Sequence, residues 1–212
     1  MKKVVLLFIL FVFSLSQADA QEFHFIPRIG LNLANTYPES FADMRPGLNI
    51  GVAEEIRFSK LFALEPGVYY SMQGYQKENA KGETARLKAD YLNIPIYAKF
   101  YLYRGFHLFA GPQVCFNIRA KASNYIFVSG PTPVHQSEYD FSGDKKEESR
   151  NCDFSVSMGL GYTFDMGLVI SANYNLGCTH FFKEPEYSFG GSNHFRGKDH
   201  NGVIQFNLGW RF

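Results

Sequence analysis

The sequence predicts an all-β protein, an eight-stranded antiparallel up-and-down barrel that spans a membrane, and three observations lead to this prediction. Eight segments alternate apolar and polar residues with the period of two that a β-strand imposes. Charged side chains gather on one of the two faces, and the connections between segments are alternately short and long. All three features are typical of outer-membrane barrels, in which lipid-facing and lumen-facing residues alternate along each strand.

The last strand, Val203 to Phe212, shows the alternation most clearly. Its apolar face carries Ile204, Phe206, Leu208, Trp210 and Phe212, and its other face carries Gln205, Asn207, Gly209 and Arg211. Such a strand suits a wall between lipid and a wet interior.

Seven earlier segments repeat this pattern. They are Phe23 to Ala34, Pro46 to Phe58, Phe62 to Gln73, Tyr91 to Leu102, Phe106 to Asn117, Asn151 to Phe164 and Leu168 to Gly177. The polar faces of the eight segments carry the charged residues Arg28, Glu55, Arg57, Glu65, Lys99, Asp153 and Arg211. Glu54 is the one charge on an apolar face, and we expect a bulge at Ala53 to Glu55 to turn it inward.

The connection lengths separate a membrane barrel from a soluble periplasmic one, in which the apolar face would point inward. The short connections are Ser59 to Leu61, Tyr103 to Gly105 and Asp165 to Gly167. The long ones are Asn35 to Arg45, Gly74 to Asp90, Ile118 to Arg150 and Cys178 to Gly202. Outer-membrane barrels have short periplasmic turns, long outer loops and both termini at the periplasmic end. The lengths therefore favour the bacterial outer membrane.

The N-terminus is expected to be a cleaved signal peptide over residues 1–20, which leaves a single barrel domain over residues 21–212. Lys2 and Lys3 precede an apolar run from Val4 to Leu15, and the sequence Ala-Asp-Ala at 18–20 provides a cleavage site. Removing Lys2, Lys3 and Asp19 from the 21 basic and 20 acidic residues leaves 19 of each. This balance argues against a nucleic-acid partner.

The bore of the predicted barrel is just wide enough for side chains. We expect a buried polar network in it, because buried charges must pair. Its predicted members are Arg28, Glu55, Arg57, Glu65, Lys99 and Arg211, with Tyr69, Tyr97 and Tyr101. Glu65 and Lys99 lie on consecutive strands and form a candidate pair. The bore is interpreted as plugged, and an ion or solute path stays open as the alternative.

Four runs carry a resemblance to a known family: LEPGVYYSMQGY at 64–75, YLNIPIYAKFYL at 91–102, FHLFAGPQV at 106–114 and FSVSMGLGYTF at 154–164. Together they resemble the PorT-like small outer-membrane barrels of Bacteroidota. The resemblance extends over nearly the whole mature chain. It implies an eight-stranded outer-membrane barrel, and it raises an accessory role in protein secretion as one functional hypothesis.

The three cysteines predict little chemistry. Cys152 and Cys178 flank the turn at 165–167 on the same face and form a candidate disulfide, which an exported protein permits. Cys115 is expected to be a buried free thiol. The sequence has no Cys-x-x-Cys pair, and we predict no metal site and no cofactor.

The two longest outer loops hold the candidate working surfaces. The third loop carries the apolar run Tyr125, Ile126, Phe127 and Val128, which either contacts a partner or covers the barrel mouth. The last loop gathers residues that a hydrolase could use, namely His180, Glu184, Glu186, Ser188, Ser192, His194, Asp199 and His200.

No Gly-x-Ser-x-Gly or His-Glu-x-x-His motif accompanies those residues. We therefore predict no catalytic residues and a non-enzymatic monomeric barrel with a structural or protein-interaction role. Its expected partners are outer-membrane lipid and an envelope protein. The alternative is a barrel enzyme that acts on lipid or peptide through the last loop.

Overall fold

Eleven strands lie in the described part of the chain, and eight of them form one closed ring. The structure is a computed structural model that describes residues 22–37, 43–78, 82, 84–123, 126–129, 137–140, 142–147, 149–180 and 200–212. The ring strands are β1 (Glu22–Tyr37), β2 (Asp43–Arg57), β3 (Phe62–Glu78), β4 (Thr84–Tyr103), β5 (Phe106–Ser123), β9 (Cys152–Thr163), β10 (Leu168–His180) and β11 (His200–Trp210). Each contains one of the eight predicted segments or most of it.

The ring closes because every strand pairs antiparallel with both of its neighbours. Consecutive ring strands pair with each other from β1 to β11, and β1 pairs with β11 through a register that includes Leu31 opposite Phe206. A closed ring has no free edge, so its inter-strand hydrogen bonds are satisfied within the sheet. The predicted eight-stranded up-and-down barrel is confirmed.

The apolar faces of the strands point away from the ring axis. Phe206 is 52% exposed, Leu160 is 50% exposed and Ile96 is 39% exposed, whereas Lys99 is 1% exposed. An apolar outer surface of this extent is stable only in contact with hydrocarbon. The inward-apolar arrangement of a soluble barrel is therefore excluded.

The two ends of the barrel differ as the connection lengths predicted. Residues 58–61, 104–105 and 164–167 form the three tight turns of the inner end, where Gly167 has a positive φ of 98°. At the outer end, a hairpin of β6 (Ile126–Ser129) and β7 (Ser137–Asp140) follows β5, and β8 (Gly143–Asp144) pairs with β5.

Glu54 does not turn inward, so the predicted bulge at Ala53 to Glu55 is wrong. The pairing of β1 with β2 is continuous there, and Phe25 lies opposite Glu54. The irregularity of β2 lies instead between Met44 and Asn49. Glu54 stays on the outward face near the inner end, where the cost of a carboxylate falls because water is close.

The predicted signal peptide, residues 1–20, lies outside the described residues. Within the ranges that are described, no helix has the length and apolar character needed to cross a membrane.

Candidate functional site: the filled bore

The inner half of the bore holds a buried ionic cluster, which we call the inner network. It consists of Arg28, Glu55, Arg57, Glu65, Lys99 and Tyr101, contributed by β1, β2, β3 and β4. The alternation of each strand turns these side chains toward the axis, where all of them except the partly exposed Arg57 are buried.

Glu65 is the central acceptor of the inner network. The Arg28 guanidinium binds it with two parallel hydrogen bonds, Nη1 to Oε1 at 2.6 Å and Nη2 to Oε2 at 2.7 Å. Lys99 Nζ donates to Oε2 of the same carboxylate at 2.9 Å, which forms the predicted Glu65–Lys99 pair. Bidentate and charge-assisted bonds of this kind are the strong ones, and they hold three strands in register.

Glu55 is the second acceptor. It receives hydrogen bonds from Lys99 Nζ and from the Tyr101 hydroxyl, and Arg57 Nη2 lies 3.2 Å from its Oε1. The Arg57 guanidinium carbon also lies 4.2 Å from the centroid of the Tyr101 ring. Three cations thus share two carboxylates, so the inner network carries one excess positive charge.

Arg211 is not part of the inner network, contrary to the sequence prediction. Strand β11 ends at Trp210, and the Arg211 backbone N–H donates to the carbonyl of Gly167 in the neighbouring turn. Its side chain is half-buried at the inner mouth of the barrel, where water reaches a charge that the prediction placed in the bore.

Farther out, the bore contains a directional series of uncharged side chains, which we call the amide chain. Each member donates to the next in the order Asn49, Asn207, Asn173, Gln205, Asn32 and Ser71. The donor–acceptor distances are 2.9 to 3.1 Å. The series links β2, β11, β10, β1 and β3, so five strands share one set of hydrogen bonds that polarise one another.

Two small cavities lie among the described side chains of the bore. One cavity of about 10 Å³ lies between Arg28, Asn49 and Tyr97, and one of about 20 Å³ lies between Tyr91, Asp153 and Asn175. Each volume is about that of a single water molecule. Tyr91 donates to Asp153 at 2.8 Å beside the second cavity, which further narrows the outer part of the bore.

The sequence interpretation missed several bore residues. His107 is 1% exposed and packs against the Tyr101 ring with a centroid separation of 5.0 Å. Ser71 ends the amide chain. Both occupy inward positions of the predicted strands. The alternation of inward and outward positions is therefore the sequence signal that could have identified them as bore residues.

The candidate disulfide is absent, because Cys152 and Cys178 are both free thiols. The register of β9 and β10 places Gly177 opposite Ser155, so the two cysteines are not directly opposed. Bridging neighbouring strands needs close and specific geometry. Cys115 is a buried free thiol, as predicted.

The candidate residues of the outer loops are described only in part. Tyr125 lies outside the described residues, as do the side chains of Ile126, Phe127 and Val128. Of the residues considered for hydrolysis, Glu184, Glu186, Ser188, Ser192, His194 and Asp199 also lie outside them. His180 and His200 are adjacent across β10 and β11, with ring centroids 4.5 Å apart.

A closed ring with an apolar outer surface, a polar filled bore and short turns at one end defines a small transmembrane β-barrel. The chain matches the sequence model of the family described as outer membrane protein beta-barrel domain over residues 16–195, and it belongs to that family. The protein is accordingly located in the bacterial outer membrane.

Two solved structures show the same fold. Neisserial surface protein A has a TM-score of 0.50 and 13% identity, with 92% of this chain and 100% of that chain covered. Ail, the attachment invasion locus protein of Yersinia pestis, has a TM-score of 0.51 and 12% identity in its complex with the heparin analogue sucrose octasulfate, with 90% of this chain and 99% of that chain covered. No curated protein matches the sequence.

Proposed function

We propose that this barrel is a structural or protein-interaction component of the outer membrane that works through its outer surface and does not conduct solutes. The observation that carries the proposal is the filled bore. Charged and amide side chains bond to one another across it, and the cavities beside them are about the size of one water. A solute channel would need a continuous wet path.

The proposed contact surface is the third outer connection. The hairpin of β6 and β7 extends it beyond β5, and the run from Tyr125 to Val128 supplies aromatic and branched apolar residues. Residues of these kinds are common in the buried centres of protein interfaces. The proposed partner is another envelope protein, and the barrel itself is proposed to be monomeric.

Assignment to the PorT-like branch, with an accessory role in secretion, is a narrower form of this proposal. It is supported by the resemblance of the four sequence runs, of which residues 64–75 and 91–102 form much of β3 and β4. The test is purification of a tagged barrel from native membranes, which is expected to recover a secretion-system component.

We also propose that the protein is not an enzyme. The competing hypothesis, hydrolysis of lipid or peptide by the last loop, has one structural observation in its favour, the adjacent rings of His180 and His200. A His180→Ala, His200→Ala double variant tests it. If the wild type hydrolyses a phospholipid or peptide substrate and the variant does not, the non-enzymatic proposal is wrong.

Conductance in planar bilayers tests the proposal about the bore. The purified mature barrel is expected to give no stepwise conductance above that of the lipid alone, whereas a general porin inserted in the same bilayer provides the positive control. Reproducible ion-selective steps from the wild type would overturn the proposal.

A pair of loop variants tests the contact surface. In one, residues 124–141 are replaced by a short Gly-Ser linker, and in the matched control residues 38–42 are replaced in the same way. We expect cross-linking in native membranes to recover the same partner with the wild type and the control, and to lose it with the 124–141 variant. Retention of the partner by both variants would exclude this surface.

A further inference from the structure

The outer ends of β4 and β5 reverse the polarity of the membrane-spanning wall. Between Leu92 and Leu102 the outward positions of β4 are apolar, but beyond Leu92 the inward positions Ala85, Leu87 and Ala89 are apolar and buried. The inward side chains form an apolar cluster of Tyr75, Leu87, Ala89, Tyr91, Cys115, Ala120 and Ala122. A wall that is apolar inside and polar outside faces water or headgroups rather than hydrocarbon.

The reversal coincides with an irregularity in the pairing. The register of β4 and β5 shifts between Asp90 and Tyr91, so that Tyr91 lies opposite Asn117 and Asp90 lies opposite Arg119. The extra residue in β5 is Ile118, and it lets both Ile118 and Arg119 remain exposed. Bulges bend a strand and redirect side chains, which suits the level at which the surroundings change.

Four exposed cations occupy the outward face beyond this level, and we call them the basic rim. They are Arg86 and Lys88 on β4 and Arg119 and Lys121 on β5. Lys88 lies directly opposite Lys121. Like charges in opposed positions destabilise a strand pair, so an arrangement of this kind is favoured where an anion binds between them.

Two carboxylates lie directly opposite members of the basic rim, and each has a further partner. Asp90 is opposite Arg119, but it also accepts a hydrogen bond from Tyr70 and interacts electrostatically with the further cation Arg45. Asp144 lies opposite Lys121 and accepts a hydrogen bond from the backbone N–H of Lys146. The strand register thus sets two carboxylates directly opposite members of the four-cation rim.

The height of the basic rim identifies what surrounds it. At about 3.3 Å per residue and a tilt of about 40°, the apolar run from Leu92 to Leu102 rises about 25 Å, which is the height of the lipid-facing band of such barrels. The basic rim begins where this band ends. Phosphate groups of lipid headgroups lie at that level in a bilayer.

The strands that follow β5 around the ring, β9 and β10, have no such feature in their described part. Beyond the apolar band, the outward positions of β9 and β10 carry the thiols of Cys152 and Cys178, which are exposed and uncharged. The basic rim is thus a feature of β4 and β5 that the described outer ends of β9 and β10 do not share. A uniform interaction with the membrane surface would not require this asymmetry.

We propose that the basic rim, Arg86, Lys88, Arg119 and Lys121, binds the phosphate groups of lipid headgroups in the outer leaflet. Guanidinium groups bind phosphate in a bidentate manner, and lysines bind it as point charges. The rim faces outward at the level of the headgroups, so a lipid whose acyl chains lie against the apolar band can place its phosphate between β4 and β5. A soluble polyanion would have to reach the same level from outside.

Binding of phosphorylated lipid A tests the proposal. The mature barrel is purified in a zwitterionic detergent and titrated with bisphosphorylated lipid A, and the midpoint of thermal unfolding is followed. The midpoint is expected to rise with lipid A. Each cation near a membrane surface contributes about fivefold to affinity, so the Lys88→Gln, Lys121→Gln double variant should bind lipid A about 25-fold more weakly.

Lys60→Gln with Arg104→Gln is the matched control, because it removes two exposed cations from the inner turns. This control variant should bind lipid A like the wild type. An uncharged glycolipid should not shift the unfolding midpoint of the wild type. Equal weakening in both double variants would overturn the proposal. So would equal stabilisation by inorganic phosphate or by dextran sulfate at matched anion concentration, since either result would assign the rim to a free anion.

Discussion

The two halves of the bore are filled by different chemistry. The inner half holds a network of three cations and two carboxylates, and the outer half holds a chain of amides and one hydroxyl. A charge in the bore needs a partner of opposite sign, whereas each amide is both donor and acceptor and can join a series in either direction. The stability of the inner half therefore depends on particular charged residues, whereas that of the amide chain depends on the amide side-chain type.

Removal of the central carboxylate is the strongest test of this difference. Glu65→Gln leaves Arg28 and Lys99 without their shared charge partner in a site where Glu65 is 2% exposed. We expect a loss of about 3–5 kcal/mol in the free energy of unfolding. The measurement is denaturant unfolding of the barrel folded into lipid vesicles.

Glu54→Gln is the control for that measurement, because Glu54 is the carboxylate that remains on the outward face. Its removal should change the free energy of unfolding by less than about 1 kcal/mol, or raise it slightly, since a lipid-facing charge near the interface is mildly unfavourable. If the two substitutions had equal effects, the inner network would not be the source of stability that its geometry indicates.

Removal of a cation from the same network is expected to cost less. Lys99→Met removes the excess positive charge of the inner network. Glu65 still binds Arg28, and Glu55 still binds Arg57 and Tyr101. We expect a loss of about 1–3 kcal/mol, the cost of leaving hydrogen-bonding groups incompletely satisfied. The same unfolding measurement applies, and the Glu65→Gln, Lys99→Met double variant should lose less than the sum of the single losses.

Asn173 tests the amide chain in the same way. Its Nδ2 lies 3.0 Å from Gln205 Oε1 and its Oδ1 accepts from Asn207 at 3.1 Å, so Asn173→Ala interrupts the series in the middle. The expected loss is about 1–2 kcal/mol, because no charge is left unpaired. Ser171→Ala, at the preceding inward position of β10, is the control and should change stability little. A larger loss than for Glu65→Gln would reverse the ranking of the two halves.

Strand alternation was enough to predict most of the fold. Eight periodic segments and the order of short and long connections were enough to predict the barrel and the charged members of the inner network, although they also placed Arg211 in that network. These features depend on local pattern, and a closed barrel gives each strand only one lipid face. Arg211 was misplaced because the end of a strand is set by its pairing with the turn, which alternation does not show.

The outer ends of β4 and β5 could not be predicted by assuming that the apolar face of a strand always points to lipid. Residues 84–90 alternate as regularly as residues 91–102, but their apolar side chains point inward. A criterion that looks for apolar residues on the lipid-facing side therefore assigned them to a loop. The order of donors in the amide chain was equally inaccessible. It depends on which cross-strand neighbours meet in the bore, and therefore on register.

Cys115 provides the finest test of whether the two halves are independent. Its buried thiol accepts from Gln113 Nε2 at 3.2 Å in the outer half, while Cys152 and Cys178 are exposed. In a Cys152→Ser, Cys178→Ser background, we expect a membrane-permeant alkylating reagent to leave Cys115 unmodified in the folded barrel. The Glu65→Gln change should leave this protection unaltered below the unfolding transition, because local opening follows the contacts that are lost. Rapid alkylation in the Glu65→Gln variant under native conditions would show that the halves open together, and the bore would then be one cooperative unit rather than two.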